Sequence, residues 1–211
     1  MQQILIATTS AGKIRSAKAQ LSKLGLEGLS FADLNLHLAE PDETADTAEN
    51  IAREKAIGYA KQFHDLPVLA RDDVSFLRGV TDEDDLKNHN KEFVVRKMGE
   101  YSDANGEKVF ADLARKYGGT IPLEFHWGYA LAWRKNDKNN VVSDTAIKEF
   151  RLIDKPSPVK AAGFSFAAIS QVKLNGVWRY DTELTEDETW QAYWNLQMET
   201  IEKLLQRAKS L

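Results

Sequence analysis

The opening of the chain constrains its fold more than any other stretch. Ile4-Leu5-Ile6-Ala7 is an uninterrupted apolar run, and Thr8-Thr9-Ser10-Ala11-Gly12-Lys13 follows it directly. From Lys13 to about Leu24, the positions Ile14, Ala17, Leu21 and Leu24 recur at helical spacing. A short apolar run bounded by turn residues reads as a buried strand. A strand that passes through a small polar turn straight into a helix is the first half of a βα unit, so the chain is expected to be α/β.

The rest of the sequence extends this pattern. Phe31 to Leu38 reads as a second strand or extended segment, and residues 40 to 46 form an acidic loop. Thr47 suits an N-cap for a helix running to about Phe63, with Glu49 and Asn50 in its first turn. Leu66 to Ala70 reads as a short strand ending at Arg71-Asp72-Asp73. Residues 81 to 92 are strongly polar and read as loop, while Glu92 to Met98 and Glu107 to Tyr117 read as helices. Leu123 to Trp133 and Val141 to Ile153 form a long hairpin. A second hairpin joins Phe164 to Leu174 with Val177 to Tyr180 through Asn175-Gly176. Thr185-Glu186-Asp187-Glu188 is a capping box that opens a final helix to about Ala208. No repeat or linker interrupts the chain, so residues 1–211 are expected to form one domain.

Composition narrows the classes of function. A chain of 211 residues is long enough for one sizeable core. Its net charge of -4 argues against a nucleic-acid polymer as partner, because a duplex binder needs a basic face. Local lysines and a cation can still hold a polyphosphate against an acidic background. With no cysteine, disulfides, zinc–thiolate sites and a cysteine nucleophile are excluded. The four histidines lack metal-ligand spacing, and no serine sits in a nucleophile elbow. The apolar run at residues 4–7 is too short for a signal peptide, and no stretch approaches the roughly 20 residues of a membrane span. The expectation is a cytoplasmic protein with no membrane partner.

Three segments could carry chemistry, each at the end of a predicted strand, where open α/β sheets bind ligands. Thr8 to Lys13 places hydroxyls, backbone N–H groups and a lysine at a helix start, which suits phosphate. It is not a P-loop, since the first glycine is missing and Ile14 replaces the metal-binding hydroxyl. An ordinary βα turn with a solvated lysine would look the same. The loop bearing Glu40, Asp42, Glu43 and Asp46 offers carboxylates to a hard cation, or is simply a solvated acidic loop. Asp72-Asp73 could divide metal binding and water activation between them, or cap a turn. Lys55, on the helix after the acidic loop, could reach a phosphate or pair with an aspartate. Trp190 and Trp194 in the last helix read as core or dimer contacts.

Taken in order, these segments resemble the inosine triphosphate pyrophosphatase family, which removes atypical purine nucleoside triphosphates. The family opens with a strand and T-x-N-x-x-K; here Thr8 to Lys13 follows that plan, with Ser10 where asparagine is usual. Its E-T-G-x-T-F-x-E-N-A-x-x-K-A segment resembles Glu43 to Ala56, with the Glu49-Asn50 pair one position early. Its L-P-x-x-A-D-D-S-G-L segment resembles Leu66 to Phe76 with one residue inserted, so either aspartate could match either family position.

The resemblance implies a mixed twisted sheet with flanking helices, in two lobes around a central cleft. It implies Mg²⁺-dependent hydrolysis of a nucleoside triphosphate to the monophosphate and pyrophosphate, in a homodimer. Glu43 and one of Asp72 and Asp73, here taken as Asp72, would hold the metal. The other aspartate would activate water. Lys13 and Lys55 would neutralise phosphate oxygens, Thr8 and Ser10 would donate hydrogen bonds, and Phe164 would stack on the base.

The second half departs from the family. Gly163 to Ala168 resembles G-F-G-Y-D-P with alanine at the aspartate, and Tyr193-Trp194-Asn195 stands near the expected S-H-R. The P-G-x-x-S-A-R segment is absent. The phosphate end therefore looks kept and the base-reading end rebuilt. Two alternatives follow: a nucleotide-binding protein of this fold with impaired catalysis, and a hydrolase of another phosphorylated metabolite.

Overall fold

The structure, a computed structural model, describes residues 2–82, 91–135, 138–160 and 166–210. Among the described residues seven strands form one sheet, in the order β2-β1-β3-β4-β5-β6-β7. They are β1 (Gln3–Ile6), β2 (Glu27–Leu29), β3 (Val68–Leu77), β4 (Thr120–Lys135), β5 (Lys138–Ile153), β6 (Ser170–Leu174) and β7 (Val177–Tyr180). β1 pairs in parallel with β2 and β3, while β5–β6 and β6–β7 are antiparallel. The mixed sheet expected from the sequence is present. No helix among the described residues is long and apolar enough to cross a membrane.

The chain divides into two compact units. The first comprises Met1–Val74, His126–Ala146 and Trp194–Leu211. At its centre Ile4, Leu5 and Ile6 of β1 are buried, so the strand is covered on both faces, as its unbroken apolar run requires. Helix α1 (Ala11–Lys23) covers one face, contributing Ala17 and Leu21. Helix α2 (Ala48–Gln62) covers the other with a stripe of small residues, Ala52, Ala56 and Ala60, packed on Leu5, Val68, Ala70, Ala130 and Ala132. Thr47 caps α2 as expected, its hydroxyl accepting from the Asn50 N–H at 3.3 Å.

Phe31–Leu38, expected as a strand or extended segment, forms a turn followed by irregular chain, and the strand lies earlier, at Glu27–Leu29. A local turn wins over the apolar pattern. The Asp33 carboxylate accepts from both the N–H and the hydroxyl of Ser30 at 2.7 Å, and Asn35 adopts a positive φ of 51°. Phe31, Leu34, Leu36 and Leu38 still reach the α2 core, but from an irregular segment.

The second unit comprises Ser75–Phe125 and Ile147–Tyr193. It contains α3 (Lys91–Met98) and α4 (Asp103–Lys116). Phe110 packs on Phe166 at 4.3 Å between ring centroids, and Phe125 meets Phe150 edge-on at 4.9 Å. The β6–β7 hairpin turns at Asn175-Gly176 as expected, pairing Leu174 with Val177. Its first strand begins at Ser170, and the expected start at Phe164 lies outside the described residues. The capping box at Thr185 is formed in full and opens α5 (Glu186–Thr189). A π-helical stretch (Trp190–Trp194) then leads into α6 (Asn195–Lys209). Trp190 is buried.

Candidate functional site

The two adjacent aspartates do not end a strand. β3 continues through them to Leu77. A strand alternates its side chains between faces, so Asp72 and Asp73 point to opposite sides of the sheet. Val68 and Ala70 pack in the α2 core, which places Asp72 on that side. Leu69 and Arg71 line a recess beside α1, which places Asp73 there. The expected pairing of both carboxylates around one point is thereby corrected. The link between them is through backbone: the Asp73 N–H donates to Asp72 Oδ1 at 2.8 Å.

On the α2 side, Lys55 Nζ lies 2.8 Å from Glu43 Oε1 and 2.8 Å from Asp72 Oδ2. Burial alone would lower the Lys55 pKa, but its hydrogen bonds to Asp72 and Glu43 outweigh that and raise it. The acidic loop is fastened where it must be for this contact. A Cβ on Gly58 would sit 2.4 Å from Pro41 Cβ, so only glycine lets the loop lie against α2. One turn earlier on the helix, the Glu54 carboxylate accepts from the Thr44 N–H at 2.8 Å, the Thr44 hydroxyl at 2.9 Å and the Ala45 N–H at 3.2 Å. These bonds hold the Glu54 pKa below the usual range. The start of α2 is placed from β4 and β5. A Cβ on Gly128 would lie 2.1 Å from the Ala48 backbone, and Glu49 accepts from the hydroxyls of Ser143 and Thr145 at 2.8 and 3.3 Å.

On the α1 side, Arg71 grips Asp73 through two bonds, Nε to Oδ1 at 2.7 Å and Nη2 to Oδ2 at 3.0 Å. Lys13 Nζ lies 3.5 Å from the same carboxylate. Burial would raise the Asp73 pKa, but the charges of Arg71 and Lys13 outweigh it and hold the group ionised below the usual range. Thr8 lines the recess, and its hydroxyl accepts from the Ser10 N–H at 3.2 Å. Ser10 is the N-cap of α1 but is exposed and makes no side-chain cap bond. The Tyr129 hydroxyl is buried with no partner at hydrogen-bond geometry, and the Arg71 guanidinium lies 5.9 Å from the centre of that ring. Burial pushes Tyr129 up to about 12, with Arg71 acting against it.

The structure thus groups Glu43, Lys55 and Asp72 on one face, and Thr8, Lys13 and Asp73 on the other. Phe164 lies outside the described residues. Sequence reading passed over Arg71, Glu49 and Tyr129. Arg71 carried a usable signal: on a strand, positions two apart share a face, so an arginine two before an aspartate is placed to pair with it. Tyr193, near the expected histidine and arginine, instead donates to Asp181 at 2.9 Å. Among the described residues no three His, Asp or Glu side chains gather closely enough to hold a metal by themselves. Glu43 and Asp72 do meet at one point, occupied by the Lys55 ammonium. Two convergent carboxylates have the chemistry to take part in holding a hard cation alongside phosphate oxygens.

Fold and site together define an α/β protein with ionic clusters on both faces of one parallel strand, built from the turns that open its first two helices. The model of the Ham1 family matches residues 4–79. A dITP/XTP pyrophosphatase of Rhizobium meliloti is 44% identical over 69 residues, covering 33% of this chain and 31% of that protein, so this match spans about a third of the relative's length. A dITP/XTP pyrophosphatase of Bacillus anthracis is 27% identical over 154 residues, 72% of each chain. The HAM1 protein of Coxiella burnetii has the same fold, with a TM-score of 0.70 at 20% identity over 98% of this chain and all (100%) of that one. The Staphylococcus aureus Ham1 protein gives a TM-score of 0.62 at 19% identity over 96% and 99%. Residues 4–79 are thus similar to the Ham1 family, in line with the resemblance of the opening motifs, and the chain has the fold of the Ham1 proteins.

Proposed function

We propose that the protein is a Mg²⁺-dependent nucleoside triphosphate pyrophosphatase acting through residues 1–75, with the whole chain as one functional unit. The observation that carries this reading is Lys55 held between Glu43 and Asp72. The acidic loop, α2 and β3 bring two carboxylates and an ammonium together there, which supports a site for a cation and a phosphate.

In this reading Glu43 and Asp72 would hold Mg²⁺, which neutralises charge on the phosphate oxygens. Lys55 leaves its two carboxylates and turns to a phosphate oxygen. Thr8 and the turn before α1 orient the phosphate chain, with Ser10 and Lys13 donating to it. Asp73, across β3 from the Glu43–Asp72 pair and on the face of the phosphate-binding turn, would accept a proton from water as the water oxygen bonds to the α-phosphorus. The bond from that phosphorus to the α–β bridging oxygen breaks, and pyrophosphate leaves with the bonding pair. Phe164 stacks on the base. A homodimer in the cytoplasm belongs to the same proposal.

The test is release of pyrophosphate from a panel of purine and pyrimidine nucleoside triphosphates, with and without Mg²⁺. The expected result is metal-dependent release from at least one of them, ITP, XTP and dITP being tried first. The Arg71 grip on Asp73 favours a second reading, a nucleotide-binding protein without turnover. Nucleotides that raise the melting temperature with no pyrophosphate released would establish that reading in place of the first.

A further inference from the structure

The cluster around Asp73 contains more positive charge than the carboxylate needs. Two cations, Arg71 and Lys13, face one carboxylate. Among the described residues they are also the only charged groups lining the recess beside α1, whose other polar lining includes Thr8, Ser16 and Tyr129. The Tyr129 hydroxyl, on a residue 1% exposed, lines the same recess without a partner at hydrogen-bond geometry. A buried hydroxyl left in that state costs free energy unless a ligand or water reaches it. With Arg71 against Asp73 the interior measures about 10 Å³, room for one water and not for a phosphate group.

We propose that Arg71 is a polyphosphate-binding residue that exchanges its Asp73 partner for the incoming phosphate chain, so that substrate entry uncovers the Asp73 carboxylate. This rests on the reading of the substrate as a nucleoside polyphosphate. A guanidinium presents the same two-point fork to phosphate as to carboxylate. A polyphosphate carries several negative charges against the single charge of Asp73, so it wins the exchange. Lys13 Nζ, 3.5 Å from Asp73, is the second cation beside that carboxylate, placed for the same phosphate chain. The rings of Trp127 and Tyr129, 5.8 and 5.9 Å from the guanidinium, keep the arginine beside the recess through the swing.

The experiment compares the parent with Arg71→Met and Arg71→Lys. Inorganic tripolyphosphate binding is measured by calorimetry without metal, and pyrophosphate release is measured at varied nucleotide concentration. The expected result is a loss of tripolyphosphate affinity of about tenfold or more in Arg71→Met and a smaller loss in Arg71→Lys, which keeps the charge but not the fork. KM should rise by a similar factor, with kcat changing far less, because Asp73 is already uncovered in the variant. Unchanged tripolyphosphate affinity, or a faster enzyme at every nucleotide concentration, overturns the proposal and leaves Arg71 as a mask on Asp73. If Arg71→Met does not fold, Arg71→Lys decides by the same affinity reading. Should the parent release no pyrophosphate while tripolyphosphate binding still depends on Arg71, the pyrophosphatase reading fails and this inference stands.

Discussion

Arg71 and Asp73 sit two residues apart on β3 and close a two-point ion pair at 2.7 and 3.0 Å, while Asp72 between them faces the other side of the sheet and meets Lys55 at 2.8 Å. Adjacent aspartates therefore have different partners and should have different functional signatures. Asp73→Asn should lower kcat by about 10²- to 10⁴-fold, the usual size of a lost general base, with nucleotide binding largely kept. Asp72→Asn should instead raise the Mg²⁺ concentration for half-maximal activity about tenfold or more. Identical kinetic defects in the two variants would refute the division of roles.

Lys55 separates two carboxylates that would otherwise repel. Lys55→Met should destabilise the metal-free protein by roughly 1–3 kcal/mol, a lower figure than for a fully buried pair because Glu43 is partly exposed. Added Mg²⁺ should restore more melting temperature to this variant than to the parent. Equal Mg²⁺ responses would show that Glu43 and Asp72 do not share a cation.

Two glycines set the position of α2 against its surroundings. Gly128→Ala places a methyl group 2.1 Å from the Ala48 backbone, which cannot yield as a side chain does. The expected cost is on the order of 2–4 kcal/mol in chemical denaturation. Gly58→Ala meets only the Pro41 ring, and alanine improves helix propensity by about 1 kcal/mol. Stability should change little, while the displaced loop carries Glu43 away and lowers turnover. A variant with full activity would show that the loop can be seated another way.

Asp181 gives the second unit a pH signature. Burial pushes its carboxyl from 3.8 up to about 6, with the Tyr193 hydrogen bond acting in the lowering direction. The folded chain therefore holds a proton that the unfolded chain has released between about pH 4 and 6, and stability from this group falls as pH rises through that window. Asp181→Asn should remove that fall and raise the melting temperature at pH 7.5. Tyr193→Phe should move the transition to higher pH. A parent whose stability rises steadily across this range, with no change in Asp181→Asn, would contradict the assignment.

Much of this protein was legible in its order of residues. The strand–turn–helix opening, the Thr47 cap, the Asn175-Gly176 hairpin and the Thr185 capping box all depend on contacts a few residues long, so local chemistry specifies them. At Phe31–Leu38, expected as a strand or extended segment, local chemistry also decides, but against the strand. Ser30 and Asp33 form a turn whose hydrogen bonds outweigh an apolar pattern, and the apolar residues reach the core without a strand.

The sequence alone determined which groups were available: Glu43, Lys55, Asp72, Asp73, Lys13 and Thr8, in three segments with the chemistry for phosphate and metal. Tertiary structure decided their partners. The pleat of β3 sent the two aspartates to opposite faces, Gly58 and Gly128 allowed the close approaches that place α2, and Arg71 reached Asp73 because β3 continues where a turn was expected. Partner choice depends on where distant segments pack, and packing is set by the whole core.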